Sequence, residues 1–288
     1  MTRQHEQENL EQIINSPSYV LPQNDTDFLA GESMRGVRLQ LEYTKPQEFL
    51  TRQKINSTII LFGGTQIVER SQAQEQLDQL KKQRQTEGSR PELERSIARA
   101  ERRLAKSKYY DEARAFASLV SQHSYHNDRY DYVIVTGGGP GIMEAGNRGA
   151  YDVGAPSIGL NITLPEEQHP NPYITPGLCF MFHYFAMRKM HFMMRAKALV
   201  VFPGGFGTFD ELFDALTLRQ TDRMQAIPII LYGSEYWKNA INFEFLADEA
   251  VIRDEHLELL NFADSPLEAW NIITKFHEAD PEAKVIAP

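Results

Sequence analysis

Ala198-Leu199-Val200-Val201-Phe202-Pro203-Gly204-Gly205-Phe206-Gly207-Thr208-Phe209-Asp210-Glu211-Leu212-Phe213 reads as a strand, a turn and a helix in immediate succession. The first five residues are apolar without alternation, as suits a strand covered on both faces of a parallel sheet. Pro203-Gly204-Gly205 ends the run. From Phe209 to about Gln220, the apolar residues Phe209, Leu212, Phe213 and Leu216 recur on one helical face. The same order recurs upstream. Tyr132-Val133-Ile134-Val135-Thr136 ends at Gly137-Gly138-Gly139-Pro140-Gly141, and Ile142-Met143-Glu144-Ala145 opens a helix continuing towards Tyr151. Thr58-Ile59-Ile60-Leu61-Phe62 ends at Gly63-Gly64-Thr65, Ser157–Ile162 follows a helical stretch, and Ile227–Tyr232 ends at Gly233. Strands alternating with helical segments predict right-handed βαβ crossovers and a doubly wound, Rossmann-like α/β sheet.

Working outward, this pattern occupies residues 58–288 as one domain, preceded by an N-terminal extension, residues 1–57. Within that extension Val37, Leu39, Leu41 and Tyr43 alternate with polar residues, as in a half-exposed strand or, alternatively, a helical turn. Residues 71–107 form an insertion dense in Gln, Lys, Arg and Glu. Leu77 and Leu80 mark one sparse stripe, and Leu93, Ile97, Ala100 and Leu104 another, broken by Gly88-Ser89-Arg90-Pro91. That is the pattern of a projecting helical hairpin. Its basic residues admit a nucleic-acid role, but the interleaved acids suit a solvated helix face. Asp111 to Val120 reads as a helix returning to the sheet.

The chain has 288 residues, 42% hydrophobic and 24% charged, enough to bury a sizeable core. A formal net charge of −9 argues against non-specific nucleic-acid binding, which requires basic surface. The N-terminus lacks the apolar core of a signal peptide, and no apolar run approaches the ~20 residues of a membrane span. A cytoplasmic location is expected, without membrane partners. The single cysteine, Cys179, excludes an internal disulfide framework. It lies in the apolar run Leu178–Phe182 and is expected to be a buried structural thiol.

The two strongest glycine clusters stand where open α/β sheets bind ligands, beyond the carboxyl ends of strands. Glycine permits close approach of backbone to ligand, and a helix start offers free N–H groups and a positive dipole end. A phosphate is the expected guest. Neither cluster fits G-x-G-x-x-G, since the third glycine would fall on Ile142 or Asp210. No acidic residue follows the strand at Ile162 to hold a dinucleotide ribose, and no Gly-Lys pair offers a triphosphate loop. A nucleoside monophosphate is the economical inference. Thr208 and Glu211 have the spacing of a helix capping box. Equally, Glu211 stands one turn from the phosphate turn, within reach of a ribose, while Asp210 is the more solvated of the pair. Phe182 to Ala196 reads as a helix, and Arg188 and Lys189 interrupt its apolar surface, where buried charge needs a partner. His183 and His191 lack zinc-pair spacing, so neither a metal nor another cofactor is expected.

Pro203-Gly204-Gly205-Phe206-Gly207-Thr208-Phe209-Asp210-Glu211 matches the PGGxGTxxE signature of the LONELY GUY (LOG) family, the cytokinin-activating phosphoribohydrolases. Arg188-Lys189 lies at the spacing of that family's RK pair, and Gly137–Ala145 resembles its first glycine turn. Leu164-Pro165-Glu166-Glu167-Gln168 with Asn171-Pro172-Tyr173 is similar to the longer bacterial branch. The resemblance covers roughly Thr58 to Trp237. It implies hydrolysis of the N-glycosidic bond of a nucleoside 5′-monophosphate, of AMP or cytokinin riboside type, to free base and ribose 5-phosphate. Glu211 and Arg188 would be catalytic. Gly137, Gly138, Gly139, Gly141, Gly204, Gly205, Gly207 and Thr208 would bind substrate, with Glu167, Lys189 and Thr217 beside them. A homodimer or higher homo-oligomer is implied. The lead-in and the hairpin are absent from the minimal family pattern. Some relatives carry the label lysine decarboxylase, but no motif here supports pyridoxal chemistry. A non-catalytic nucleotide sensor or carrier is the alternative, and a protein-interaction scaffold working through the hairpin is a third.

Overall fold

Every residue of Thr58–Phe62 (β1) is buried. Successive side chains leave a strand on opposite faces: Ile60 and Phe62 enter one apolar core, Ile59 and Leu61 the other. Around β1 lie Val133–Thr136 (β2), Ser157–Ile162 (β3), Cys179–Phe182 (β4), Ala196–Val201 (β5), Ile229–Tyr232 (β6) and Leu260–Ala263 (β7). The seven strands run in the order β4-β3-β2-β1-β5-β6-β7, with every neighbouring pair parallel. The chain lays strands outward on one side of β1 as far as β4. It then crosses to the other side with β5, so the switch point falls between β1 and β5. This is the Rossmann-like α/β fold expected from the sequence. The structure, a computed structural model, describes residues 3–164 and 169–279. The chain divides into two units, Met1–Gln47 and Glu48–Pro288, and the sheet lies in the second.

The first unit holds Arg3–Ile14 (α1), Thr26–Ala30 (α2) and most of Arg35–Arg52 (α3). Asp25 caps α2 by accepting from the Phe28 N–H at 2.9 Å. The half-exposed strand expected at Val37–Tyr43 is instead part of α3. Shielded positions follow the helical spacing Leu39, Glu42, Pro46, Leu50, while Val37, Leu41 and Tyr43 are exposed. The helical alternative was correct.

In the second unit, Arg70–Glu87 (α4) and Pro91–Lys106 (α5) form a helical hairpin. Leu77 packs with Leu93, Ile97 and Ala100, and Lys81 and Arg84 pair across it with Glu101 and Glu94 at 3.1 and 3.4 Å. Lys108–Ser121 (α6), Ile142–Asp152 (α7) and, later in the chain, a C-terminal helix cover one sheet face through Phe116, Ala145 and Ile273. The other face is covered by Phe185–Met194 (α8), Phe206–Gln220 (α9), Ser234–Ala240 (α10) and Phe243–Asp248 (α11), through Phe192, Leu212, Trp237 and Phe243. The C-terminal helix is Pro266–Ala279 (α12).

Three further local expectations differ from the structure. Leu178–Phe182 contains β4, an edge strand with Phe180 and Phe182 buried and Cys179 and Met181 exposed. Cys179 is therefore not a buried thiol, because the two-residue period turns it to the open face. α8 accordingly starts at Phe185 rather than Phe182. α9 starts at Phe206 with Gly205 as N-cap, so Thr208 lies inside the first turn and the capping-box reading fails. Among the described residues no helix is long and apolar enough to cross a membrane.

Candidate functional site

Three neighbouring strands, β2, β1 and β5, each run into a glycine turn at their carboxyl end: Gly137–Gly139, Gly63–Thr65 and Pro203–Gly205. Residues of all three turns line one cavity of about 400 Å³, a size that suits a small molecule. It opens at the switch point, so both predicted turns face the same space. The middle turn ties the outer two together. The Gly64 N–H donates to the Pro203 carbonyl at 2.9 Å, and the Gly64 carbonyl accepts from the Ile142 N–H at 3.2 Å.

That second bond makes the two helix starts unequal. The first N–H of α7 is already held by the middle turn. At α9 the Phe206 and Gly207 N–H groups lack acceptors within the helix, and both residues line the cavity and are exposed. The start of α9 is thus the place for an anion. Thr208 is buried and lines the same wall.

A buried polar network fixes the first turn. The Gly138 N–H donates to Thr136 Oγ1 at 3.0 Å, and the Thr136 hydroxyl donates to Asn147 Oδ1 at 2.7 Å. Asn171 Nδ2 donates to Asn147 Oδ1 at 2.9 Å and to the Gly139 carbonyl at 3.1 Å. Gly138 adopts φ +74°, and a Cβ there would collide with the Asn161 amide; one at Gly137 would collide with the Arg188 guanidinium.

Arg188 and Glu211 meet over this turn. Arg188 leaves α8, donates from Nε to the Leu160 carbonyl at 2.8 Å, and lies 5.3 Å from the Phe192 ring. Its Nη1 stands 3.8 Å from Glu211 Oε1, with both side chains buried, at 13% and 7% exposure. Glu211 Oε2 is buried and has no hydrogen-bond partner among the described residues. Burial pushes the Glu211 carboxyl up to about 7, against the opposing pull of Arg188 and Lys189. Burial likewise lowers the Arg188 pKa, partly offset by Glu211 and Asp210. A carboxyl that titrates near neutrality inside a cleft has the properties of a proton-transfer or charge-stabilising group.

Gly137, Gly139, Arg188, Gly205, Gly207, Thr208 and Glu211 come together on this cavity. The other sequence-derived residues stand elsewhere. Gly138 and Gly141 shape the turn from behind. The Gly204 carbonyl accepts from the Tyr236 hydroxyl at 2.6 Å on the far side of its turn. Lys189 points to Asp210, donating at 2.9 Å. Thr217 is exposed, and its hydroxyl donates to the Phe213 carbonyl of its own helix at 2.7 Å. Glu167 lies outside the described residues. Asp210, read as solvated, is exposed but reaches the cavity rim. Sequence reading did not place Gly64, Thr65 and Asn161 on the cavity, nor Thr136 and Asn147 behind it. Gly63-Gly64-Thr65, quoted as a strand end, was the available signal.

Fold and geometry together define an α/β protein with an open helix start lining the same cavity as a buried carboxyl–guanidinium pair. Residues 143–273 match the family model described as "possible lysine decarboxylase". A solved structure, the X-ray structure of the structural-genomics target TM1055, is 21% identical, with a TM-score of 0.42, covering 59% of this chain and 89% of that one. No curated protein matches the chain. The family description names a reaction that uses pyridoxal phosphate. That group needs a lysine to hold it as a Schiff base, and no lysine lines this cavity among the described residues. The site does not fit it.

Proposed function

We propose that the protein is a phosphoribohydrolase that cleaves the N-glycosidic bond of a nucleoside 5′-monophosphate of AMP or cytokinin riboside type. The observation that carries this reading is Glu211, a buried carboxyl facing the same cavity as the open helix start of α9. The 5′-phosphate would sit on the Gly205–Thr208 backbone, which places the ribose towards Glu211. Breaking the C1′–N bond develops positive charge on the sugar, which a carboxylate stabilises, and the same group can activate water. Arg188 would hold the carboxylate in place or meet the departing base. The phosphate grip turns remote binding energy into orientation.

Incubating the full chain with AMP and following free adenine tests the reading. Glu211→Gln is expected to bind AMP nearly as before while losing ~10²-fold or more in turnover. Binding without base release in the unaltered protein would favour a sensor or carrier. Assembly with a second copy belongs to the same proposal, and the exposed Phe185 and Met190 of α8 support it.

A further inference from the structure

On the far side of the Pro203–Gly205 turn lies a second cavity, of about 380 Å³, which shares Gly64, Thr65 and Gly205 with the first. Its opposite wall is the hairpin helix α5, which contributes Arg99, Arg102, Arg103 and Lys106 and no acidic residue. These positions follow the i, i+3, i+4, i+7 spacing of a single helical face. Like charges at that spacing repel one another. Lys81, Arg84 and Arg90 of the hairpin have glutamate partners; the row on this face has none. Arg99, Arg102 and Lys106 enter no ion pair among the described residues, and Arg103 donates only to the neutral Gln76 amide, at 2.7 Å. Lys106 Nζ stands 5.6 Å from the Tyr236 ring, whose hydroxyl is tied to Gly204.

We infer that this face of α5, together with the back of the two glycine turns, binds a small polyphosphate anion. Four unneutralised cations facing a concave surface, in a protein of net charge −9, call for an anionic ligand. Guanidinium forks match phosphate oxygens. The spread of the cations favours several phosphates over one: Arg99 and Lys106 are separated by about 10 Å along the helix axis. Linked phosphates can engage the whole row with the side chains extended, whereas a single phosphate meets only part of it unless the outer side chains fold inward. Two helical turns closed in by Tyr236 and the Gly64 turn make a pocket, not a track for a nucleic-acid strand. The occupant would press on the turns that wall the first cavity, so the two ligands would influence each other's binding.

Calorimetric titration of the full chain with inorganic pyrophosphate and tripolyphosphate tests this. Tripolyphosphate is expected to bind more tightly than pyrophosphate, and the double variant Arg99→Gln/Arg102→Gln to weaken both by tenfold or more. Glu211→Gln should leave both unchanged, which separates this site from the proposed hydrolytic one; the two readings stand or fall independently. ADP and ATP in the same titrations distinguish a free polyphosphate from a nucleotide-borne one, and the same losses in the double variant are expected for whichever binds. Should the double variant lose its fold by circular dichroism, Lys106→Gln carries the test, with a severalfold loss expected. Undiminished binding in the variants would overturn the inference, as would no binding to the unaltered protein. Tighter binding of a short single-stranded RNA through the same residues would also overturn it.

Discussion

Glu211 is held at a cost that can be measured. Its carboxyl is raised from 4.5 to about 7, chiefly by burial. Between those two values the folded chain binds more protons at this residue than the unfolded chain does. The stability it contributes is therefore fully present below about pH 4.5 and lost as pH rises through 7. A shift of that size corresponds to about 3 kcal/mol on the ionised form. Glu211→Gln should accordingly melt higher than the unaltered protein at pH 8 and alike at pH 4, read by thermal denaturation. If the ionised carboxylate serves the reaction, AMP hydrolysis should rise with pH and level off above about 7. At this scale the sequence was legible in part. Thr208 and Glu211 have a spacing shared by capping boxes and phosphate turns, and composition cannot separate the two. Only the helix start at Phe206, two residues earlier, removes the capping role.

Turns and edges were the elements least open to sequence reading. The apolar runs at Thr58, Val133, Ser157, Ala198 and Ile229 announce central strands because both faces are covered. β4 sits at the sheet edge and alternates, so within five apolar residues its period is hidden. The network behind the first glycine turn depends on Thr136, Asn147 and Asn171, which are up to 35 residues apart in sequence and carry no local pattern. Its weight can be tested. Asn147→Ala removes a side chain that accepts from Thr136 and Asn171 and donates to Ser157 at 3.0 Å. Leaving those buried partners unmatched is expected to cost about 1–3 kcal/mol, measured by urea denaturation, and to weaken AMP binding. Gly138→Ala sets a Cβ against Asn161 at a positive φ. It should lower AMP affinity more than Gly154→Ala, a glycine at φ +70° with open space around it.

Across the whole molecule, the sheet order explains why two distant glycine clusters share a cavity. β2 and β5 are not neighbours; β1 lies between them, and its own turn bridges both. The strand count read from sequence was too low, but the switch point needed only the central strands, and those were the clearest. That arrangement also sets an order of assembly. Thr58 pairs with Ala196 across the middle of the sheet, so a nascent chain that has emerged only through α7 leaves β1 as an exposed edge, apolar on both sides. Contacts so far apart in sequence slow folding. The third wall of the cavity arrives with the same segment that closes this gap. Recovery of AMP binding after dilution from denaturant should therefore follow the slowest spectroscopic phase, not precede it.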